Sequence, residues 1–171
     1  NRYQKSNGRF DVYTAGHETE SLTHSSIWCI VKDAQGTLWL GTYFGGVNYF
    51  NPEYEIYTRY KASDTERDGL SSSIIGRMIE DKDGNLWICT EGGGVNVYYR
   101  KEGTFRWLRH EEGRNSISHN NVKAIYYDEK GERMWFGTHL GGLNKLDLRT
   151  NRFTHYRMKE DDPHSLPSDI I

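Results

Sequence analysis

Alternating apolar positions, followed by a run of consecutive apolar residues, form the clearest pattern in this chain. The alternation is carried by Ile27, Cys29 and Val31, and it predicts a short β-strand. The run that follows, Leu-Trp-Leu-Gly-Thr at residues 38–42, predicts a second strand that is covered on both faces. The same two patterns recur further along the chain, at 75–79 with 86–90 and at 122–126 with 134–138.

The recurrence has a fixed period. Its tryptophans, Trp39, Trp87 and Trp135, lie 48 residues apart, and a constant period of this size indicates stacked supersecondary units. Alignment of the copies predicts full repeats at 22–69, 70–116 and 117–165, the end of a preceding repeat at 1–21 and the start of a following one at 166–171. Both ends cut through the pattern, so we expect the chain to be a piece of a longer protein.

Turn residues divide each copy into four strands. Asp33, Asp81 and Asp128 each precede a glycine by three residues, and we expect these aspartates to cap the hairpin between the first and second strands. Glycine pairs beginning at 45, 93 and 141 then lead into a third strand.

The third and fourth strands carry their own repeated residues. We expect an asparagine of the third strand to satisfy backbone groups in each copy: Asn48, Asn96 and Asn144. Apolar residues of the fourth strand are spaced by three, as in Phe105 and Leu108, and a bulge in an edge strand would explain this spacing. Four strands per repeat, with both sheet faces covered, predict an all-β fold of antiparallel β-propeller blades, about 3.5 of them in this chain.

Composition excludes several classes of function. The net charge is −2, from 22 Lys+Arg and 24 Asp+Glu that are mixed along the chain, so no basic stripe suggests a nucleic-acid partner. No P-loop, dinucleotide fingerprint or nucleophile elbow occurs. None of the seven histidines, His17 among them, has a neighbour at the spacing of a local metal site. We therefore expect no cofactor, no metal and no catalytic residue in this chain.

The repeat resembles a known family. Residues 70–74 (Leu-Ser-Ser-Ser-Ile), 81–88 (Asp-Lys-Asp-Gly-Asn-Leu-Trp-Ile) and 93–96 (Gly-Gly-Val-Asn) look like the two-component regulator propeller repeat. Three full copies and two partial ones cover essentially the whole chain, and their constant period makes the resemblance specific.

The resemblance implies a seven-bladed propeller and a role in signalling. Such repeats form the periplasmic sensor region of hybrid two-component sensor kinases of the inner membrane, and many members sense oligosaccharides. By this resemblance the chain binds an oligosaccharide, packs with the rest of its propeller and communicates with a histidine kinase that lies outside the chain. The chain itself is then not an enzyme.

The repeated residues are predicted to hold the scaffold rather than the ligand. Trp39, Trp87 and Trp135 could stack on sugars, but they lie in mid-strand at one repeat position within apolar runs. We expect them to fill the space between blades, and we expect the repeated Asp and Asn residues to be structural as well.

The positions at which the copies differ predict the site. In an up-and-down sheet, the turn between the second and third strands lies at the same end as the link into the next first strand. Residues from both should therefore face one mouth of the propeller, where aromatic and polar groups of mixed charge suit a carbohydrate. The predicted ligand-binding residues are Trp28, Tyr43, Phe44, Arg77, Glu91, His119, Asn120, Lys123 and His139.

Two other functions remain open from the residues alone. One is a glycan-active propeller enzyme of the sialidase or lyase type, and the other is a propeller that binds proteins. Whatever its function, the isolated chain would present uncovered blade faces and open edges at its two ends, so we expect it to self-associate or to remain an open arc.

Overall fold

The computed structural model describes residues 1–16, 21–51 and 56–171; His17 lies outside these ranges. The described residues form strands and turns and contain no helix. The strands are β1 (Arg2–Gln4), β2 (Arg9–Asp11), β3 (Ile27–Lys32), β4 (Leu38–Thr42), β5 (Val47–Asn51), β6 (Ile56–Tyr60), β7 (Ile75–Glu80), β8 (Leu86–Thr90), β9 (Gly94–Tyr99), β10 (Thr104–Leu108), β11 (Val122–Asp128), β12 (Arg133–Thr138), β13 (Gly142–Asp147) and β14 (Arg152–Tyr156).

These strands form three antiparallel sheets of four strands each, in sequence order. We call β3–β6 blade 1, β7–β10 blade 2 and β11–β14 blade 3; β1 and β2 form a separate two-stranded sheet. The first strands lie side by side, because β7 packs against both β3 and β11. The first strands are therefore the inner strands and the fourth strands the outer ones, which confirms the predicted all-β architecture of propeller blades.

The cores lie between the blades. One cluster joins blades 1 and 2 around Trp39, Ile75 and Phe105. A second cluster joins blades 2 and 3 around Val97 and Phe136. Strand β8 is buried at every residue because it contributes to both clusters.

The predicted bulge in the fourth strand is wrong. Strand β10 pairs with β9 in an unbroken register, so Phe105 and Leu108 point to opposite faces of the sheet. Phe105 packs into the core with blade 1 and Leu108 into the core with blade 3. The apolar spacing of three thus arises because each face of the blade has its own neighbour.

Repeated asparagines attach each blade to the link that precedes it. In blade 2, the buried Asn96 accepts a hydrogen bond from the backbone N–H of Ser71 through Oδ1 (2.7 Å) and donates one through Nδ2 to Ser71 Oγ (2.9 Å). Asn48 and Asn144 make the same pair of bonds to Thr23 and Ser118.

A repeated glycine attaches each blade to the next one. Gly46, Gly94 and Gly142 have positive φ angles of 69° to 78°, and each donates its N–H to a carbonyl in the following link. The acceptors are Ser73, Asn120 and Asp169. A Cβ at Gly94 would lie 2.3 Å from the carbonyl oxygen of Leu108, so both the backbone angle and the close approach require glycine here.

No helix within the described ranges is long and apolar enough to cross a membrane.

Candidate ligand-binding site

A β-bulge interrupts the first strand of every blade. The pairing of β3 with β4 shifts between Ile27 and Cys29, and the pairing of β11 with β12 shifts between Val122 and Ala124. In β7 the shift lies between Ile75 and Met78. Bulges re-aim side chains relative to the strand, and here each one falls at the mouth end of an inner strand.

The three bulges expose three different side chains. Trp28 lies in the bulge of β3, Arg77 in that of β7 and Lys123 in that of β11, and all three are exposed. Together they line one pocket of about 360 Å³, whose other lining residues are Ile27, Gly76 and Glu91. A pocket of this volume is in the range that accommodates small ligands.

The charges in this pocket are unequal. Lys123 of blade 3 forms an ion pair with Glu91, which follows β8 of blade 2. Arg77 has no hydrogen-bond or ion-pair partner among the described residues, although its side chain lies in the same pocket. The pocket therefore contains one carboxylate for two cations.

Further aromatic rings of blade 1 lie beside the pocket and next to Trp28, although only Trp28 among them lines it. The rings of Trp28 and Tyr43 lie 4.5 Å apart, and those of Tyr43 and Phe44 lie 4.3 Å apart. His24 contacts both Tyr43 and Phe44, at 6.4 Å in each case. His24, Ile27 and Gly76 were not predicted as site residues; the position of His24 in the link between repeats was the available signal.

Three further predicted residues do not line the pocket: His119 and Asn120 belong to the link into blade 3, and His139 lies in the turn after β12, where its N–H donates to Asn121 O (2.9 Å). Asn120 accepts the backbone N–H of His110 through Oδ1 (2.7 Å), and His119 accepts that of Asn121 through Nδ1 (3.0 Å). Burial, and then the nearby His139 and His110, lower the pKa of His119, which favours the neutral ring that can accept this bond.

The aspartates of the first hairpin bind backbone and indole N–H groups. Asp33 accepts N–H groups of Gln35 and Thr37 through Oδ1 and the indole Nε1–H of Trp39 through Oδ2 (3.0 Å). Asp81 makes the equivalent bond to Trp87 (2.8 Å). Asp128 instead accepts the N–H of Gly131, in the turn that has one additional residue before its tryptophan.

A larger cavity, of about 470 Å³, lies on the outer face of blade 3 and is lined by Trp135 and Tyr156. These two rings stack at 5.9 Å, as Trp39 and Tyr60 of blade 1 do at 5.8 Å. In blade 1 the corresponding space is filled by Tyr98 and Arg100 of the next blade. The larger cavity is therefore an uncovered blade interface, and the pocket at the bulges is the better candidate site.

Within the described residues, no group of three or more His, Cys, Asp or Glu side chains is arranged to hold a metal ion.

Comparison with known proteins identifies the repeat. The model of the two-component regulator propeller matches residues 21–44, 69–92 and 116–139, once in each of the three repeats. No curated protein matches the chain.

Solved structures show the same fold. The extracellular domain of a hybrid two-component system from B. thetaiotaomicron is 26% identical, with a TM-score of 0.75, over 88% of this chain and 20% of that one. The extracellular domain of a second such system from B. thetaiotaomicron is 24% identical, with a TM-score of 0.70, over 87% of this chain and 21% of that one. Virginiamycin B lyase from Staphylococcus aureus is 12% identical, with a TM-score of 0.57, over 79% of this chain and 42% of that one. The latter two likenesses show the fold alone.

This chain spans about a fifth of the length of the two-component domains that it resembles. Three matches to the repeat model coincide with three blades of the same construction. The chain therefore contains three repeats of the two-component regulator propeller.

Proposed function

We propose that this chain is the ligand-sensing part of a periplasmic propeller in a two-component sensor kinase of the inner membrane, and that its ligand is an oligosaccharide. The observation that carries the proposal is the pocket at the bulges, in a chain that is similar to an extracellular domain of a hybrid two-component system. In this proposal the chain binds the ligand without catalysing a reaction on it.

The comparison of repeat positions supports a binding role for the pocket. The position of Asn48, Asn96 and Asn144 keeps one residue type, because each amide makes the same two bonds to a link. The bulge position instead presents a tryptophan, an arginine and a lysine in the three blades. A purely structural requirement would favour one residue type in equivalent sites, so this variation is what a binding surface requires.

The chemistry of the pocket suits a sugar. The exposed ring of Trp28 offers a flat apolar surface together with an indole N–H. The charged groups of Arg77, Glu91 and Lys123 provide both donors and acceptors for hydroxyl groups. The relative exposure of Trp28 is 46%, so a ligand can reach it without any rearrangement of the core.

Binding can be tested on the chain itself. A glycan array should identify oligosaccharides that bind, and calorimetric titration should then show a loss of affinity of about tenfold or more for Trp28→Ala, since aromatic contacts of this kind contribute over 1 kcal/mol. Phe10→Ala is the matched control, because Phe10 is an exposed aromatic residue on β2. Equal affinity of wild-type chain and Trp28→Ala for every bound glycan would contradict the proposed site.

An assay for new reducing ends tests the non-enzymatic part of the proposal. The chain is incubated with each bound glycan, and we expect no new reducing ends. Cleavage that persists after repurification of the chain would instead favour a glycan-active enzyme.

The cellular part of the proposal concerns the whole protein. We expect that protein to be recovered with the inner membrane and this segment to be cleaved when protease is added to spheroplasts. Protection of the segment in intact spheroplasts, with cleavage only after lysis, would contradict a periplasmic location.

A further inference from the structure

The unequal charges of the pocket define the class of sugar that it fits. We infer that the pocket at the bulges selects an acidic oligosaccharide and that Arg77 binds the carboxylate or sulfate group of one sugar unit. This inference rests on the proposed function and adds the ligand class to it.

Among the described residues, Arg77 lines the pocket without an anionic partner, whereas its neighbour Lys123 is already paired with Glu91. Guanidinium groups bind planar anions through two parallel N–H donors, and such charge-assisted bonds are about twice as strong as neutral ones. An anionic group on the ligand would supply the missing partner.

The three bulge residues lie on neighbouring inner strands. Trp28 on β3 and Lys123 on β11 flank β7, which carries Arg77, because β7 packs against both of the other inner strands. A sugar ring lying on Trp28 therefore has its substituents next to Arg77. Glu91 compensates the charge of Lys123, so the net charge that remains for the ligand to neutralise is that of Arg77.

The unpaired guanidinium of Arg77 also makes the pocket selective between charged and neutral sugars. A neutral sugar would cover Arg77 without pairing it, and desolvation of an unpaired charge is costly. A site of this kind discriminates against the uncharged analogue because its own polar group is left without a partner. The inference therefore predicts selectivity as well as binding.

Uronic acids carry a carboxylate and sulfated sugars carry a sulfate, so both supply the required negative charge. Two pairs of probes distinguish them. The first pair is trigalacturonate and its fully methyl-esterified form, which has the same sugars without the charge. The second pair is a sulfated galactose trisaccharide and its desulfated form. Each is titrated calorimetrically into the chain at about 0.05 M and about 0.5 M NaCl, because surface electrostatics weaken with salt.

Variants at Arg77 complete the experiment. Arg77→Met should lower the affinity for the bound acidic probe about 10- to 100-fold and leave the affinity for neutral glycans unchanged. Arg77→Lys should recover part of the loss, since it keeps the charge but not the paired donors. Arg106→Met is the matched control, because Arg106 is an exposed arginine on the outer strand β10.

Every outcome decides the inference. Binding of one acidic probe with the expected loss in Arg77→Met supports it, and the probe that binds identifies the anion. Equal binding of charged and uncharged forms, or an unchanged affinity in Arg77→Met, overturns the anion inference and leaves oligosaccharide sensing intact. Binding of other neutral glycans, but of neither acidic probe, also overturns it. Absence of binding to any glycan overturns both the inference and the proposed function.

Discussion

At the scale of single residues, positions that are repeated between blades stabilise the fold, and positions that vary between blades form the candidate site. The asparagine that recurs in every blade makes the same contacts in every blade, since Asn48, Asn96 and Asn144 each bind the preceding link. Residues that differ between blades reach solvent at the mouth, as Trp28 and Arg77 do. The repeated residues thus fix where the variable ones stand.

The contribution of the repeated asparagine can be measured at Asn96. We expect Asn96→Ala to lower the free energy of unfolding by about 1–3 kcal/mol, because the part-buried N–H of Ser71 loses its acceptor. Urea denaturation gives this value, and a double-mutant cycle with Ser71→Ala isolates the bond between the two side chains. A coupling energy of zero between the two substitutions would contradict this role for the amide.

At the scale of strands and blades, the sequence was sufficient for the fold class but not for the bulges. Period, turn glycines and apolar runs predicted four-stranded propeller blades, and the structure confirms them. From the sequence, the spacing of Phe105 and Leu108 predicts a bulge, whereas in the structure it reflects two neighbours on opposite faces of the sheet. A spacing of three is compatible with either explanation, so the choice depends on what covers each face.

The residues of the pocket could be predicted only in part, because one sequence does not show the pairing register of its strands. The expected position at one mouth of the propeller predicted Trp28, Arg77, Glu91 and Lys123 as site residues, and these four do line one pocket. It could not separate them from His119 and Asn120, whose side chains bind link backbone. The bulges that make this distinction depend on register, and pairing register is not visible in one sequence.

Blades 1 and 2 are also joined by an ion pair between Arg100 and Asp33. Arg100, which follows β9 of blade 2, forms a 2.9 Å ion pair with the fully buried side chain of Asp33 in blade 1 and lies over Trp39. Blade 3 has Leu148 at the equivalent position, packed against the core. Burial alone would raise the pKa of Asp33, but hydrogen bonds from Trp39 and Arg100 lower it below its ordinary value of 3.8.

We predict that replacing Arg100 by leucine, the residue of blade 3 at this position, lowers the free energy of unfolding in a pH-dependent way. We expect Arg100→Leu to lower the free energy of unfolding by about 2 kcal/mol at pH 7, because a charge-assisted bond to a buried carboxylate is lost. A carboxyl with a lowered pKa stabilises the fold above its ordinary pKa, and this contribution disappears as the pH falls through the lower folded value.

The difference between wild-type chain and Arg100→Leu should therefore be constant above about pH 5 and shrink below pH 3.8. Urea denaturation across this range measures it, with Arg106→Leu on the outer strand as the control. A difference that grows toward low pH would contradict the assigned role of Asp33.

At the scale of the whole molecule, the two outermost blade faces are open. The Trp39 and Trp87 side chains are 1% and 7% exposed between blades, whereas Trp135 is only half-buried and lines a cavity. At the other end, Leu22, Leu40 and Phe50 form a small cluster that borders a further apolar pocket. Both faces carry apolar residues of the kind found between blades, but no described blade packs against them.

We therefore predict that the isolated chain self-associates, because burial of apolar surface at these faces is favourable. Light scattering over a tenfold range of concentration should show a mass above that of the 19.9 kDa monomer. Substitution of Trp135 by Glu should shift the equilibrium toward the monomer, while the same change at exposed Phe10 should have less effect. A monomeric mass at all concentrations would contradict the prediction.

The separation between scaffold and site can be tested most directly by NMR, because the chain has five tryptophans whose indole N–H signals report from different places. Trp39 and Trp87 are held by aspartates between blades, whereas Trp28 lies in the pocket. On titration with the oligosaccharide that binds best on the glycan array, the signal of Trp28 should shift while those of Trp39 and Trp87 stay in place. Shifts of Trp39, Trp87 or Trp135 with an unmoved Trp28 signal would contradict the account.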